Sequence, residues 1–265
     1  MKPHRAKKSL GQNFLVDANY QRKIRDAVRA VYNGETVIEI GPGQGALTGH
    51  LAEFAQRLVL VEKDYHLGAA LQERFAGDDK VEIVVGDFLQ WDLAGLETGR
   101  NIVVANLPYN VSTQILIRLL KNFSKFTHLF LMFQKEVAHR SVSKHGSKDF
   151  GILSVWCQLL GRPEKICDVP PTAFRPQPKI TSTVLKFTPS ETPYDDDQEK
   201  FMTFVKRIFS QRRKKIGSLL KGEKEFTALK ATGGRVSELL DLRAEAITIA
   251  EMQLLFELFK SPESD

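Results

Sequence analysis

The chain has 265 residues, 42% of them hydrophobic and 26% charged, which is enough to bury the core of one large domain or of a large and a small one. That composition excludes a wholly disordered chain, and apolar stretches such as Leu129 to Phe133 are too short to span a bilayer. Thirty-eight Lys and Arg against 32 Asp and Glu leave a net charge of only +6, so the distribution of charge carries more information than its size.

In chain order, Lys2, Arg5, Lys7 and Lys8 come before the first acidic residue, Asp17, in a segment without a signal-peptide apolar stretch. Asp17 is placed to cap a helix carrying Tyr20, Ile24, Val28 and Val31 at near-helical spacing. Short apolar runs follow at Thr36–Ile40, Arg57–Val61, Val81–Val85, Asn101–Ala105 and Leu129–Phe133, each reading as a buried strand. Helical patterns lie between them at Leu47–Phe54, His66–Phe75 and Thr113–Leu120. Such alternation predicts a doubly wound α/β domain, with a parallel sheet covered on both faces. From Asp168 to Thr188 the text becomes a Pro-rich loop and then a β-branched run, Thr181–Phe187, which predicts a final hairpin strand.

Ser, Pro and three aspartates cluster between Pro189 and Asp197 and mark a boundary. The expected division is a domain over 1–190 and a small all-α domain over 195–265. In the latter, Phe201, Val205, Ile208 and Phe209 form one stripe, and Ile216, Leu219 and Leu220 another. Thr248 and Glu251 form a capping box for a last helix with Met252, Leu255 and Phe259. Val205 to Lys224 holds eight basic residues and one acid, and from it Arg207, Arg212, Arg213, Lys214 and Lys215 are taken as candidate RNA contacts. The two cysteines, Cys157 and Cys167, are too few for a disulfide framework or a zinc site, so no metal and a reducing, cytoplasmic setting are expected.

The first strand runs into Glu39-Ile-Gly41-Pro-Gly43-Gln-Gly45. In a doubly wound sheet, ligands sit beyond the carboxyl ends of the strands, and glycines let them approach the backbone. Glu62 ends the second strand, 21 residues after Gly41, where a carboxylate can accept both hydroxyls of an adenosine ribose. Asp87 ends the third, where it can face the adenine. The G-x-G-x-G spacing with an acid two residues upstream suits S-adenosylmethionine better than a dinucleotide, since the sulfonium gains from nearby negative charge and no pyrophosphate needs a helix N-terminus. Glu39 is expected to anchor the glycine loop through backbone N–H groups.

The fourth strand ends in Asn106-Leu107-Pro108-Tyr109. The exocyclic amine of adenine is a poor nucleophile until it pyramidalises. The Asn106 side-chain oxygen and the Leu107 carbonyl can accept its two N–H groups in that geometry. Pro108 aims the carbonyl, and Tyr109 offers a face for an extruded base. Phe174, on the Pro-rich loop, is the candidate to stack on the other face.

These residues together resemble the small-subunit ribosomal RNA adenine N6,N6-dimethyltransferases of the KsgA type. Leu10-Gly-Gln-Asn13-Phe-Leu15-Val-Asp17 resembles that family's N-terminal signature, Phe174 to Ser182 its late loop, and Phe209-Ser-Gln-Arg-Arg-Lys its helical domain. Thr181 departs from the acid the family often carries there. The resemblance implies a Rossmann-like class I S-adenosylmethionine-dependent methyltransferase domain with a small C-terminal all-α domain. It implies cofactor contacts by Asn13, Leu15, Gly41, Glu62, Asp87 and Asn106, to which the glycine turn adds Gly43 as a candidate. It also implies dimethylation of two adjacent adenosines in the 3′-terminal hairpin of small-subunit rRNA, within an assembling 30S-type subunit. No membrane partner is expected, and a monomer is the default. Competing readings are a large-subunit rRNA adenine methyltransferase of the erythromycin-resistance type, a DNA N6-adenine methyltransferase, and a non-catalytic assembly or transcription factor of the same fold.

Overall fold

Short apolar runs that cannot be satisfied alone pair into one large sheet. The computed structural model describes residues 12–190 and 194–260, so the basic residues before Leu10 and part of the boundary at Pro189–Asp197 lie outside the described residues. The chain begins with β1 (Phe14–Leu15) and α1 (Ala18–Arg29), whose N-cap Asp17 accepts from the Asn19 N–H and whose Ile24 and Val28 are buried. Then come β2 (Thr36–Ile40), α2 (Thr48–Ala52), β3 (Leu58–Glu62) and α3 (Tyr65–Arg74), the last capped by Asp64. After β4 (Val81–Val85) and β5 (Asn101–Asn106) follow α4 (Ser112–Lys121) and β6 (Phe126–Gln134).

Beyond β6 lie α5 (Lys135–Val142), α6 (Ile152–Leu160), β7 (Gly161–Val169), β8 (Phe174–Arg175) and β9 (Ser182–Pro189). The remainder is helical: α7 (Asp196–Ile208), α8 (Ile216–Leu220), α9 (Phe226–Ala231), α10 (Gly234–Leu240) and α11 (Ile249–Lys260). At the head of α11 the capping box is reciprocal, with Glu251 N–H donating to Thr248 Oγ1 at 3.1 Å and Thr248 N–H to Glu251 Oε2 at 2.9 Å. Among the described residues no helix is long and apolar enough to cross a membrane.

The large sheet has seven strands in the order β4-β3-β2-β5-β6-β9-β7. The first five are parallel, but β9 runs antiparallel to both β6 and β7, so the sheet is mixed rather than wholly parallel. Strand β7 is an addition to the sequence reading, which left Gly161–Cys167 unassigned and took Asp168 onward for loop. Its Pro163 and charged residues suit an edge, where one side of the ladder has no partner. Strand β4 is the other edge and is half-buried rather than buried.

The core between sheet and helices gathers Ile24, Val28, Val37, Leu51, Leu58, Leu60, Ile102, Val104 and Phe130, all nearly inaccessible. A separate two-residue ladder joins β1 to β8, pairing Phe14 with Arg175 and Leu15 with Phe174.

The chain divides into two compact units, one running to Ala138 and resuming at Gly161, the other formed by His139–Leu160 and the C-terminal helices. The helical unit thus includes a piece inside the expected 1–190 span. Contacts within that unit explain why. Phe150 packs edge-on against Phe209 with ring centroids 6.2 Å apart, and the Gly146 N–H donates to the Glu245 carbonyl at 2.7 Å.

Candidate functional site

Register places the site. Ile40 lies level with Val61 on one side and Ala105 on the other, and Val61 with Val84. One residue further, Gly41, Glu62, Val85 and Asn106 therefore leave neighbouring strands at a common height, with strand order reversing about β2. A cleft there, with about 970 Å³ of free space including its open mouth, is lined by Asn13, Gly41, Gly43, Glu62, Asp87 and Asn106. Leu107, Pro108 and Tyr109 line it as well, so the two constellations expected separately from the sequence share one cavity.

Two glycines answer to backbone demands. Gly41 (φ +66°) lies in the left-handed region that favours glycine, and no atom stands within 4 Å of where a Cβ would be, so the cleft is open above it. At Gly43 (φ +60°) a Cβ would lie 2.9 Å from the Phe14 ring, which closes over the turn. The Gly43 N–H donates to Glu62 Oε2 at 2.9 Å, and the Asp64 N–H to Glu62 Oε1 at 2.8 Å. Glu62, not Glu39, therefore anchors the glycine turn. Burial pushes the Glu62 carboxyl above the usual range, against the pull of these backbone donors. Glu39 faces inward instead, accepting from the Thr48 hydroxyl at 2.7 Å, and burial raises it to about 7.

Asp87 accepts from Lys63 Nζ at 2.7 Å and from the Leu89 N–H at 3.0 Å. The Lys63 hydrogen bond leads in holding its carboxyl below the ordinary value, so it is an anion at neutral pH. Asn106 Nδ2 donates to the Asn13 carbonyl at 2.9 Å. That bond fixes the amide's orientation and leaves Oδ1 as its acceptor. The Tyr109 hydroxyl and Ser182 Oγ are 2.8 Å apart, so the phenol is tethered and its ring is what the cleft receives.

Two candidates are placed elsewhere. Leu15 is 2% exposed and Phe174 is fully buried; both belong to the core and neither lines the cleft. Both side chains pack into the core, so Phe174 offers the cleft no stacking face and Leu15 no side-chain contact. The sequence reading also missed Gln12, Phe14, Lys63, Phe88, Val111 and Ile115 in the cleft wall. Of these, Lys63 was the most readable, as the residue after a strand-end acid.

In the helical unit the basic cluster separates into two kinds of residue. Arg212 Nη2 donates to the carbonyls of Lys148 (2.7 Å) and Phe150 (2.9 Å), while its Nε meets Glu245 at 3.4 Å. Arg207 pairs with Glu223 at 2.8 Å and Lys215 with Asp241 at 3.1 Å. Arg213 and Lys214 are exposed. Arg212 is therefore a structural clasp before it is a surface charge.

The donor set fits an adenosyl sulfonium: carboxylates for ribose and adenine, a glycine turn without side chains, and net negative charge at the strand ends. Solved structures with this fold include a dimethyladenosine transferase from Plasmodium falciparum (TM-score 0.78, 20% identity, 91% of this chain and 95% of that one). Another is the 23S rRNA methyltransferase ErmE (TM-score 0.68, 23% identity, 94% and 100%). The fold is that of the class I methyltransferases, and the cleft has the donors that S-adenosylmethionine, the cofactor of such enzymes, requires. The family model described as ribosomal RNA adenine dimethylase matches residues 3–260, and the chain belongs to that family. Its relatives include proteins named ribosomal RNA small subunit methyltransferase A. The one from Maridesulfovibrio salexigens is 41% identical over 97% of both chains. That from Geobacter metallireducens is 44% identical over 90% of this chain and 92% of the relative.

Proposed function

We propose that this enzyme dimethylates N6 of two adjacent adenosines in the 3′-terminal hairpin of small-subunit rRNA, acting as a cytoplasmic monomer on an assembling subunit. The observation that carries the reading is the meeting of Asn106–Tyr109 with Gly41, Glu62 and Asp87 on one cleft. The names of relatives at 41% and 44% identity support the small subunit as substrate.

When bound, S-adenosylmethionine supplies an electrophilic methyl group on a positively charged sulfur. Glu62 and Asp87 hold the nucleoside portion through its hydroxyls and amine. Asn106 Oδ1 and the Leu107 carbonyl accept the two N6 hydrogens of an unstacked adenine, which draws the nitrogen toward the tetrahedral form and exposes its lone pair. The Tyr109 ring supports the base from the side. No general base is required before transfer, because the amine loses its proton once it has become cationic. Arg213 and Lys214 supply phosphate contacts from the helical unit.

Labelled methyl groups are expected to enter small subunits that lack the modification, at two neighbouring adenosines mapped by primer extension. Incorporation into large-subunit rRNA would move the chain to the erythromycin-resistance type, and tight binding with no incorporation would make it an assembly factor.

A further inference from the structure

The loop after β4 forms the adenine-side wall of the cleft through Asp87 and Phe88. Its own hydrogen bonds shape it without placing it. The Asp87 carbonyl accepts from the Gln90 N–H at 2.9 Å and the Trp91 N–H at 3.0 Å, and the Asp87 carboxylate takes the Leu89 N–H. Its start is pinned to the sheet by backbone, where the Gly86 N–H donates to the Glu62 carbonyl at 2.9 Å, and its far end is held by Lys125 Nζ at the Ala94 and Leu96 carbonyls. The stretch between, at Phe88 and Trp91, is gripped from α4. Arg118 Nη1 donates to the Phe88 carbonyl and Nη2 to the Trp91 carbonyl, and the guanidinium carbon stands 5.3 Å from the centre of the Phe88 ring.

Helix α4 begins three residues after Tyr109, and its N-cap Val111 and first-turn Ile115 line the same cleft. We propose that Arg118 is a positioning residue that sets the adenine-side wall of the cleft and locks it to the element carrying the target-base corner. The inference rests on the reading that the cleft holds S-adenosylmethionine, and it assigns a role to a side chain that touches neither cofactor nor base.

The residue type suits the task. A planar guanidinium spans two carbonyls with separate donors and stacks on an aromatic face, whereas an ammonium offers one point of charge. Phe88 is 4% exposed, so a carbonyl there left without its donor would have little water to replace it. Burial lowers the Arg118 pKa and the charges of Asp87 and Asp92 oppose that, so the cation also stabilises the adenine-side carboxylate.

The test titrates S-adenosylhomocysteine and 5′-methylthioadenosine into the full chain, as wild type, Arg118→Ala, Arg118→Gln and Arg118→Lys, with kinetics beside it. Arg118→Ala is expected to raise Kd for both ligands by the same factor, about tenfold or more for two lost charge-assisted hydrogen bonds. KM for S-adenosylmethionine should follow Kd, while kcat at saturation and KM for RNA change less than about threefold. Arg118→Lys should recover less than half of the loss on a logarithmic scale. Arg118→Gln keeps a donor at the site, so it gives the same reading should the alanine variant not fold. Unchanged Kd in folded variants, a loss confined to kcat, or a loss for S-adenosylhomocysteine but not for methylthioadenosine would each overturn the role. Failure of the wild type to bind either ligand would instead remove the cofactor reading beneath it.

Discussion

At the carboxyl edge of the sheet, six of the seven cofactor candidates line one cleft, and Leu15 alone is turned inward. Along the basic stretch of the helical unit, three of five candidate cations are held in pairs with Glu223, Glu245 and Asp241. The difference lies in what fixes each set. Strand ends are aligned by ladder register, so acids and glycines separated by twenty residues in the chain become neighbours at a height the pattern itself dictates. A run of arginines and lysines carries no such ruler, and the carboxylates that meet it come from 16 to 33 positions further on.

The largest effect that would sharpen this contrast is at Asn106. Asn106→Ala is expected to lower kcat by about 10²–10³-fold while RNA affinity stays within about twofold, because phosphate contacts supply most of that affinity. Equal losses in single-turnover rate and in filter binding would make the residue structural. Next is Glu39, buried beside the glycine turn. Its folded pKa of about 7 exceeds the ordinary carboxyl value of 4.5, so the folded chain holds more protons between those two values. The stability contributed by this group is therefore fully present below about pH 4.5 and is lost as pH rises through about 7, by up to ~3 kcal/mol. Glu39→Gln should flatten that decline in urea unfolding at pH 5 and pH 8. A slope as steep as the wild type's would place the titration elsewhere.

The smallest effects separate two adjacent arginines. Arg212→Ala should destabilise the helical unit by about 1–3 kcal/mol in thermal or urea unfolding, since two carbonyls lose their donor. Arg213→Ala should leave unfolding within about 0.5 kcal/mol but reduce the salt slope of RNA binding by about one. If the two variants behaved alike in both assays, the contrast between clasp and contact would be lost.

Much of the fold was readable because periodicity and caps agreed with the tertiary structure. The strands from Thr36 to Phe133, the Asp17 cap and the Thr248–Glu251 box all occur where the pattern places them. Strand β7 escaped because Pro163 and its charged neighbours lack strand character, and its ladder shifts register between Lys165 and Cys167. Leu15 and Phe174 escaped for a different reason. Their burial depends on a pairing across nearly 160 residues, which no local pattern announces. Glu39 and Glu62 were both visible as strand acids, yet which of them receives the Gly43 N–H depends on the turn's path. Arg118 left one trace, a lone cation among Ile115, Leu116, Leu119 and Leu120 on α4.

The β1–β8 ladder is not part of the seven-stranded sheet. Residues 12–14 reach Asp64, Asn106 and Gly43, so this short strap touches the cofactor turn and the reactive amide together. It is held by the two-residue pairing, by the Val16 and Asp17 N–H groups on the Ala173 carbonyl, and by the Gln12 and Asn13 hydrogen bonds, none of which belongs to the main sheet. Displacing residues 12–14 would loosen the glycine turn and free the Asn106 side chain from its fixed pose at once, so the cofactor corner and the target-base corner share a support.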